Sequence, residues 1–484
     1  MDRIRNALKQ RGRSPAYEPL DNGSDDAYER QAARKHQFSY LEYCIFVLLG
    51  IFMLWACLIR NMFLAASPYF QHRFSHSPPL LKAYSPTLLS ISTVTNLLSV
   101  LVLSYIQAHA HYPHRIILSL VLNGFAFTLL AISTVLFRSV SEQVYFTFLM
   151  LMVALSAIGT GICQNGLFAY VSAFNEKKYT QGIMAGQGIA GVLSCLAQII
   201  SVLSIPPPET ATLTSSPDKP TKPVPQESGK SALAYFLTAT FISLLALLAF
   251  TILTRRHPTV GISPSPPTLN TDLLSKPSPI DPPPTLTPET DITDDNDDDD
   301  KTPPLRKSIP LLRLYRKLHW LANAVFLTFT LTLFYPVFTQ QIHSKHPPPL
   351  PRLLQPSCFI PLAFLFWNIG DLVGRLLPLS SAIAGLTRRP RLVFSLSVAR
   401  VLWIPLYMLC NRGLDKRSGG GGDFFYLVIV QAGFGVSNGL VGSLCMMGSA
   451  GYVEEEEKEA AGGFMGLMLV GGLSVGSLLS FLVA

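Results

Sequence analysis

Stretches of about twenty consecutive apolar residues recur along this chain, and nothing else in it constrains the fold as strongly. In hydrocarbon every backbone N–H and C=O must find a partner within the chain, so runs of that length read as spanning helices. They fall near 41–66, 87–108, 115–137, 144–172, 179–204, 231–254, 320–342, 357–378, 391–410, 424–449 and 460–484. Of the 484 residues, 49% are hydrophobic and only 14% charged, too few charges to cover a soluble fold of that size. The expected fold class is all-α, a polytopic membrane bundle of eleven helices. That composition excludes a disordered chain, a collagen, a secreted disulfide scaffold and an ordinary cytosolic enzyme. Seven scattered cysteines with no CxxC pair predict small buried hydrophobes rather than a disulfide or zinc framework.

The first forty residues are polar and the first apolar run is full length, so no cleavable leader is expected. From about His257 to Pro304 the chain is rich in Pro, Ser and Thr, with seven acids within Asp291–Asp300. Such a segment buries too little apolar surface to offset its ordering entropy and is expected to be disordered. Residues 205–230 resemble it, and Gly419–Gly422 reads as a flexible link. The predicted organisation is a tail over 1–40, a six-helix half over 41–254, a cytosolic loop over 255–319 and a five-helix half over 320–484. Lys and Arg are denser in the tail and in the loops on its side, which places the N-terminus in the cytosol. Eleven crossings then put the C-terminus outside the cell or in a lumen. The formal charge of +8 is spread over these loops and reads as membrane orientation, with no nucleic-acid partner implied.

Several soluble-enzyme patterns occur by letter alone. Gly186-Gln-Gly-Ile-Ala-Gly191 matches a dinucleotide fingerprint but lies inside a span with no preceding strand. Gly435-Val-Ser-Asn-Gly439 and Gly472-Leu-Ser-Val-Gly476 match a nucleophile elbow without a His or Asp partner. No enzyme and no cofactor are predicted. The same glycines form small-xxx-small pairs, Gly182/Gly186, Gly370/Gly374, Gly435/Gly439, Gly462/Gly466 and Gly472/Gly476, which let helix backbones approach closely in lipid. His109, His111 and His114 read as a polar interfacial loop rather than a metal site. In the tail, Tyr17-Glu-Pro-Leu20 has the form of a tyrosine-based signal for a sorting adaptor, and the Asn22 sequon would face the wrong compartment for glycosylation.

Polar residues within the spans carry the functional signal, because an ionisable group there costs roughly 2.5–3.5 kcal/mol on insertion scales. In the eighth span Asp371 and Arg375 stand at i and i+4 on one helical face, with Asn368 and Phe364 extending that face. Arg375 could snorkel to the interface with Asp371 merely pairing to it, or the stripe could line a water-filled path for a hydroxyl-rich solute. Gln164 and Asn165 end the fourth span. Two adjacent amides suit a ligand of mixed donors and acceptors, and equally suit hydrogen bonds to neighbouring helices. Gln187 is ambiguous in the same way. Trp55, Arg60 and Asn61 stand near the outer end of the first span.

At these residues the chain resembles the equilibrative nucleoside transporter family, its filamentous-fungal members in particular. The resemblance runs from about Glu42 to Ala484. It rests on Gly50-Ile-Phe-Met-Leu-Trp55, Asn61-Met-Phe-Leu-Ala-Ala-Ser-Pro-Tyr-Phe70, Gln164-Asn-Gly-Leu-Phe-Ala-Tyr170 and Tyr179-Thr-Gln-Gly-Ile-Met-Ala-Gly-Gln-Gly188, then Phe366-Trp-Asn-Ile-Gly-Asp-Leu-Val-Gly-Arg375, Asn438-Gly-Leu440 and Glu459-Ala-Ala-Gly-Gly-Phe-Met465. It implies a major-facilitator-like fold whose two halves rock about a central site, passing purine and pyrimidine nucleosides such as adenosine and uridine down their gradient. By position, Asp371 would accept from ribose hydroxyls, Arg375 would hold Asp371 ionised, Asn368 would support that face and Gln164 would meet the nucleobase edge. Trp55 and Asn61 belong to the same implied site.

The family pattern in the first span is Trp-(Pro/Ala)-Trp-Asn, whereas here Trp55-Ala56 is followed by Cys57-Leu-Ile-Arg60 before Asn61. Three extra residues turn the following helix by about 300° and shift it about 4.5 Å. If genuine, the insertion removes an aromatic from the site and favours an inactive scaffold; a gene-model artefact is the other reading. A proton-coupled carrier of nucleosides or nucleobases is a further alternative. The expected location is the plasma membrane or a vacuolar, lysosome-like membrane.

Overall fold

A computed structural model describes residues 39–57, 70, 73–74, 77–107, 110–137, 140–204, 229–258, 260, 309–334, 336–346, 350–410 and 422–483. The sorting-type signal, the Asn22 sequon, Arg60, Asn61, His109 and the acidic run fall outside the described residues. Among the described residues the long elements are all helices. Its principal helices are α1 (Tyr40–Cys57), α2 (Pro78–Tyr105), α3 (Tyr112–Leu136), α4 (Glu142–Ala173), α5 (Lys177–Ser204) and α6 (Gly229–Arg256). Then come α7 (Leu311–Phe334), α8 (Pro356–Leu376), α9 (Pro390–Ala399), α10 (Gly433–Gly448) and α11 (Lys458–Val483). Among the described residues ten segments are long and apolar enough to cross a membrane, and Tyr40–Met53 on α1 is a shorter apolar helix. α7 begins at Leu311 rather than near residue 320, because Arg313 and Lys317 in its first turns are held by Glu457 at 2.7 and 2.6 Å.

Local chemistry explains several helix starts. α2, α3, α8 and α9 all have proline in the first turn, where its missing N–H costs nothing and its φ is already helical. Between α4 and α5 the reversal needs a left-handed residue, and Asn175 supplies it at φ 54°. α9 continues through a 3-10 turn, Arg400–Leu402, into Trp403–Met408. α10 is entered through a π-helical stretch, Phe425–Ala432, in which the buried Gln431 amide bonds to Tyr407, Tyr426 and Thr339.

Packing follows an offset of six helices. α1 packs on α5 as α7 packs on α11; α2 on α4 as α8 on α10; α5 on α8 as α11 on α2; α5 on α10 as α11 on α4. The contacts thus recur with that offset, and the last two pairings join the first six helices to the last five. Lipid offers no hydrophobic drive between helices, so backbone approach does the work. Gly370 and Gly374 of α8 face the carbonyls of Ala432 and Val436, while Gly435 and Gly439 of α10 face those of Trp367 and Asp371. A Cβ at any of the four would land on a backbone oxygen. α1 and α5 interlock likewise through Gly50 and Gly186. Leu237, Phe241, Leu244 and Leu248 leave an apolar stripe on the outer surface of α6, as a lipid-facing helix requires.

Each half has its own aromatic core at one end: Phe70, Tyr84, Phe127, Tyr145 and Phe236 in the first, Phe359, Tyr407, Tyr426 and Phe434 in the second. The opposite end, where α5 begins and α8 finishes, holds the polar ties between the halves.

Candidate functional site

Asp371 and Arg375 lie on the face of α8 that turns into the bundle, 3% and 5% exposed. Their i,i+4 spacing brings Arg375 Nε to Asp371 Oδ2 at 2.6 Å. Snorkelling is therefore not what Arg375 does: its guanidinium points inward and crosses to the other half. Nη1 donates to Gln187 Oε1 at 2.7 Å and to the Met184 carbonyl at 3.1 Å, both on α5. The other carboxylate oxygen, Asp371 Oδ1, accepts from Asn438 Nδ2 on α10 at 2.6 Å, and Asn438 Oδ1 accepts from Thr332 on α7 at 2.6 Å. Gln181 Nε2 donates to the Arg375 carbonyl at 3.0 Å and its Oε1 accepts from Tyr43 on α1 at 2.8 Å.

The result is one continuous polar chain, Tyr43–Gln181–Arg375–Asp371–Asn438–Thr332, running across five helices and both halves. A buried ion pair repays desolvation only with further hydrogen bonds to its charged groups, and here amides and a main-chain carbonyl supply several. Both carboxylate oxygens are engaged, yet a carboxylate has about four lone-pair sites, so each retains capacity to accept again. Lys177 reaches Thr387 at 3.5 Å beside this chain, adding a tie between the halves at the same end.

The other residues singled out from the sequence are distributed differently. Asn368 is half-buried in the α5–α8 seam, donating to the Phe364 carbonyl at 2.8 Å and to Cys195 Sγ at 3.2 Å. Its carboxamide oxygen lies against Gly191, where a side chain would collide with it. It makes no hydrogen bond to the Asp371 chain. Gln164 is 3% exposed in the α4–α11 seam, with its backbone facing Gly466, and its Oε1 is buried without a hydrogen-bond partner. Its neighbour Asn165 accepts from Arg115 at 2.7 Å and donates to Ser104 at 3.3 Å, so this amide serves helix packing. Trp55 falls in the last described turn of α1, its side chain outside the described residues, as Asn61 is. The His111 and His114 rings touch edge to face at 5.6 Å.

The fold adds residues to which no sequence motif assigns a role. Asn438, part of the Asn438-Gly-Leu440 motif but given no role by it, donates to Asp371, and Thr332, whose only sequence signal is a hydroxyl inside an apolar run, donates to Asn438. Arg400, 2% exposed on the α9 side, donates to the Thr328 carbonyl at 3.0 Å and lies 4.7 Å over the Phe434 ring. An arginine within a span was itself a signal.

The described residues form a helical bundle of membrane-spanning length with a buried ion pair tied across it. The nucleoside transporter family model matches residues 150–484, and the chain belongs to that family. It is 28% identical to Nucleoside transporter FUN26 of Saccharomyces cerevisiae, over 98% of this chain and 88% of that one. Against equilibrative nucleoside transporter 1 of Mus musculus it is 27% identical over 91% of this chain and 96% of the relative. Among solved structures, the major facilitator superfamily transporter FucP in the outward conformation aligns with a TM-score of 0.52 at 13% identity, covering 91% of this chain and 96% of FucP. The human organic anion transporter MFSD10 aligns at 0.51 and 15%, covering 91% and 93%. At such identities these two establish the fold alone.

Proposed function

We propose that this multi-pass membrane protein is a facilitative carrier of purine and pyrimidine nucleosides, working by alternating access with Asp371 and Gln164 on the substrate. Its family and its named relatives support the substrate class. One observation carries the assignment of the site: Gln164 Oε1 is buried in the bundle and accepts nothing from the protein. Buried acceptors are nearly always paired, so this one is suited to a donor that arrives with the substrate, such as an exocyclic amine or ring N–H of a nucleobase. Asp371, with acceptor capacity left on both oxygens, suits the paired hydroxyls of a ribose. Arg375 pairs with it, and Asn438 is its positioning residue.

Arg375 also gives the cycle its tie. Its bonds to Gln187 and Met184 join the halves near the start of α5, so the described state is held shut at that end. With the tail in the cytosol, that is the cytosolic end, and opening it requires those bonds to break. A substrate that engages Asp371 changes the environment of Arg375 and so biases the two states differently, as any ligand that drives a transition must.

The test is uptake of labelled adenosine and uridine into proteoliposomes, with Gln164→Leu alongside. Saturable, gradient-driven uptake without dependence on a proton gradient is expected. The leucine variant, near in volume but without an acceptor, is expected to raise the KM for adenosine about tenfold, the cost of one unmade hydrogen bond in a dry site. An unchanged KM takes Gln164 out of the site, and absence of uptake by the parent protein refutes the reading.

A further inference from the structure

The six-helix offset exposes a difference between the halves that has nothing to do with the transport site. In the first half α6 packs on both α3 and α1. In the second half α9 packs directly on α7, and among the described residues no helix covers their outer surface. Leu312 on α7 and Leu392, Leu396 and Leu402 on the α9 segment stand exposed there, an apolar flank suited to acyl chains.

At the end where both helices begin the chain carries four arginines. Arg316 is on α7, Arg388 and Arg389 precede α9, and Arg391 is in its first turn; all four are exposed. Arg391 sits 5.7 Å over the ring of Trp320, which packs on Phe394 at 5.5 Å, so an aromatic of the interfacial kind stands beside Arg391 and one turn from Arg316. The neighbouring cations of α7 behave otherwise. Arg313 and Lys317 face the turn before α11 and are neutralised by Glu454 and Glu457. Among the described residues no carboxylate pairs with Arg316, Arg388, Arg389 or Arg391. The same helix thus has one basic face satisfied by the protein and another left for something else.

We infer that the α7–α9 seam binds the phosphate headgroup of an anionic phospholipid, with its acyl chains along Leu392, Leu396 and Leu402. Arginine rather than lysine at all four positions fits bidentate recognition of phosphate oxygens. Basic pockets between spanning helices at headgroup depth are the general form of such sites. Lipid in this seam takes up the outer surface that α6 covers in the first half, and ties α7 to α9.

Native mass spectrometry of the full-length protein, titrated with phosphatidylserine and with phosphatidylcholine of the same chains, tests this. The parent protein is expected to retain phosphatidylserine at least about tenfold more tightly. Arg316→Gln/Arg391→Gln is expected to reduce that preference to the phosphatidylcholine level, with its lipid-free unfolding temperature and its uridine uptake showing that it folds. Arg255→Gln/Arg256→Gln, an exposed pair at the end of α6, is expected to keep the preference. Equal retention of the two lipids by the parent, or a preference that survives the Arg316/Arg391 change, overturns the inference. So does an equal loss in the α6 pair, which means diffuse charge, or displacement of the lipid by inorganic phosphate at matching concentration, which means a free-anion site.

Discussion

Asp371→Asn is expected to reduce the initial rate of uridine uptake at least tenfold and to lower the thermal stability of the purified protein. The substitution leaves the volume almost unchanged but removes the charge that Arg375 was buried against. Breaking one side of a buried pair costs roughly 3–5 kcal/mol, because the surviving charge is left in a dry site. A carboxamide also has one acceptor oxygen where the carboxylate had two, so Arg375 Nε and Asn438 Nδ2 must compete for it. The double variant Asp371→Asn/Arg375→Gln separates structure from transport. Removing both charges is expected to restore most of the unfolding temperature without restoring uptake, since the substrate's acceptor is still missing. Normal uptake by Asp371→Asn would remove this carboxylate from the site, and recovery of uptake in the double variant would reduce the pair to a structural device.

The second large effect is expected from one methyl group. In Gly439→Ala the new Cβ lands on the Asp371 carbonyl oxygen and close to the Arg375 nitrogen, both backbone atoms that no rotamer change can move. α8 and α10 must separate, which overpacks the seam at a cost of about 3 kcal/mol and stretches the 2.6 Å bond between Asn438 and Asp371. Loss of uptake and a clear fall in unfolding temperature are both expected. Gly385→Ala is the matched control, with nothing within 4 Å of its added carbon. Equal stability of Gly439→Ala and the parent protein would mean that the helices are not in backbone contact there.

Much of the candidate site was legible before any coordinates, for a simple reason. Helical geometry alone puts residues four apart on one face, so Asp371 and Arg375 had to meet once their segment was read as a helix. Asn368 shows the limit of the same reasoning. It shares the face approximately, but its Nδ2 donates to the Phe364 carbonyl of its own helix and to Cys195 Sγ in the α5–α8 seam, not to the Asp371 chain. The adjacent amides Gln164 and Asn165 were equivalent on paper. They diverge because they project about 100° apart, one into bonds with Arg115 and Ser104, the other to a place where the protein offers no donor.

What the sequence determined by itself was the solvent of this protein and the secondary structure that solvent permits. Apolar runs of bilayer length admit helices and little else, and glycines spaced by four mark where those helices touch. The glycine pairs could not name their partners. That Gly370 and Gly374 meet the backbone of α10, and that Arg375 reaches across to α5 to tie one half to the other, was decided by tertiary structure. A helix face fixes direction only about its own axis, and which neighbour stands there depends on how all the others pack.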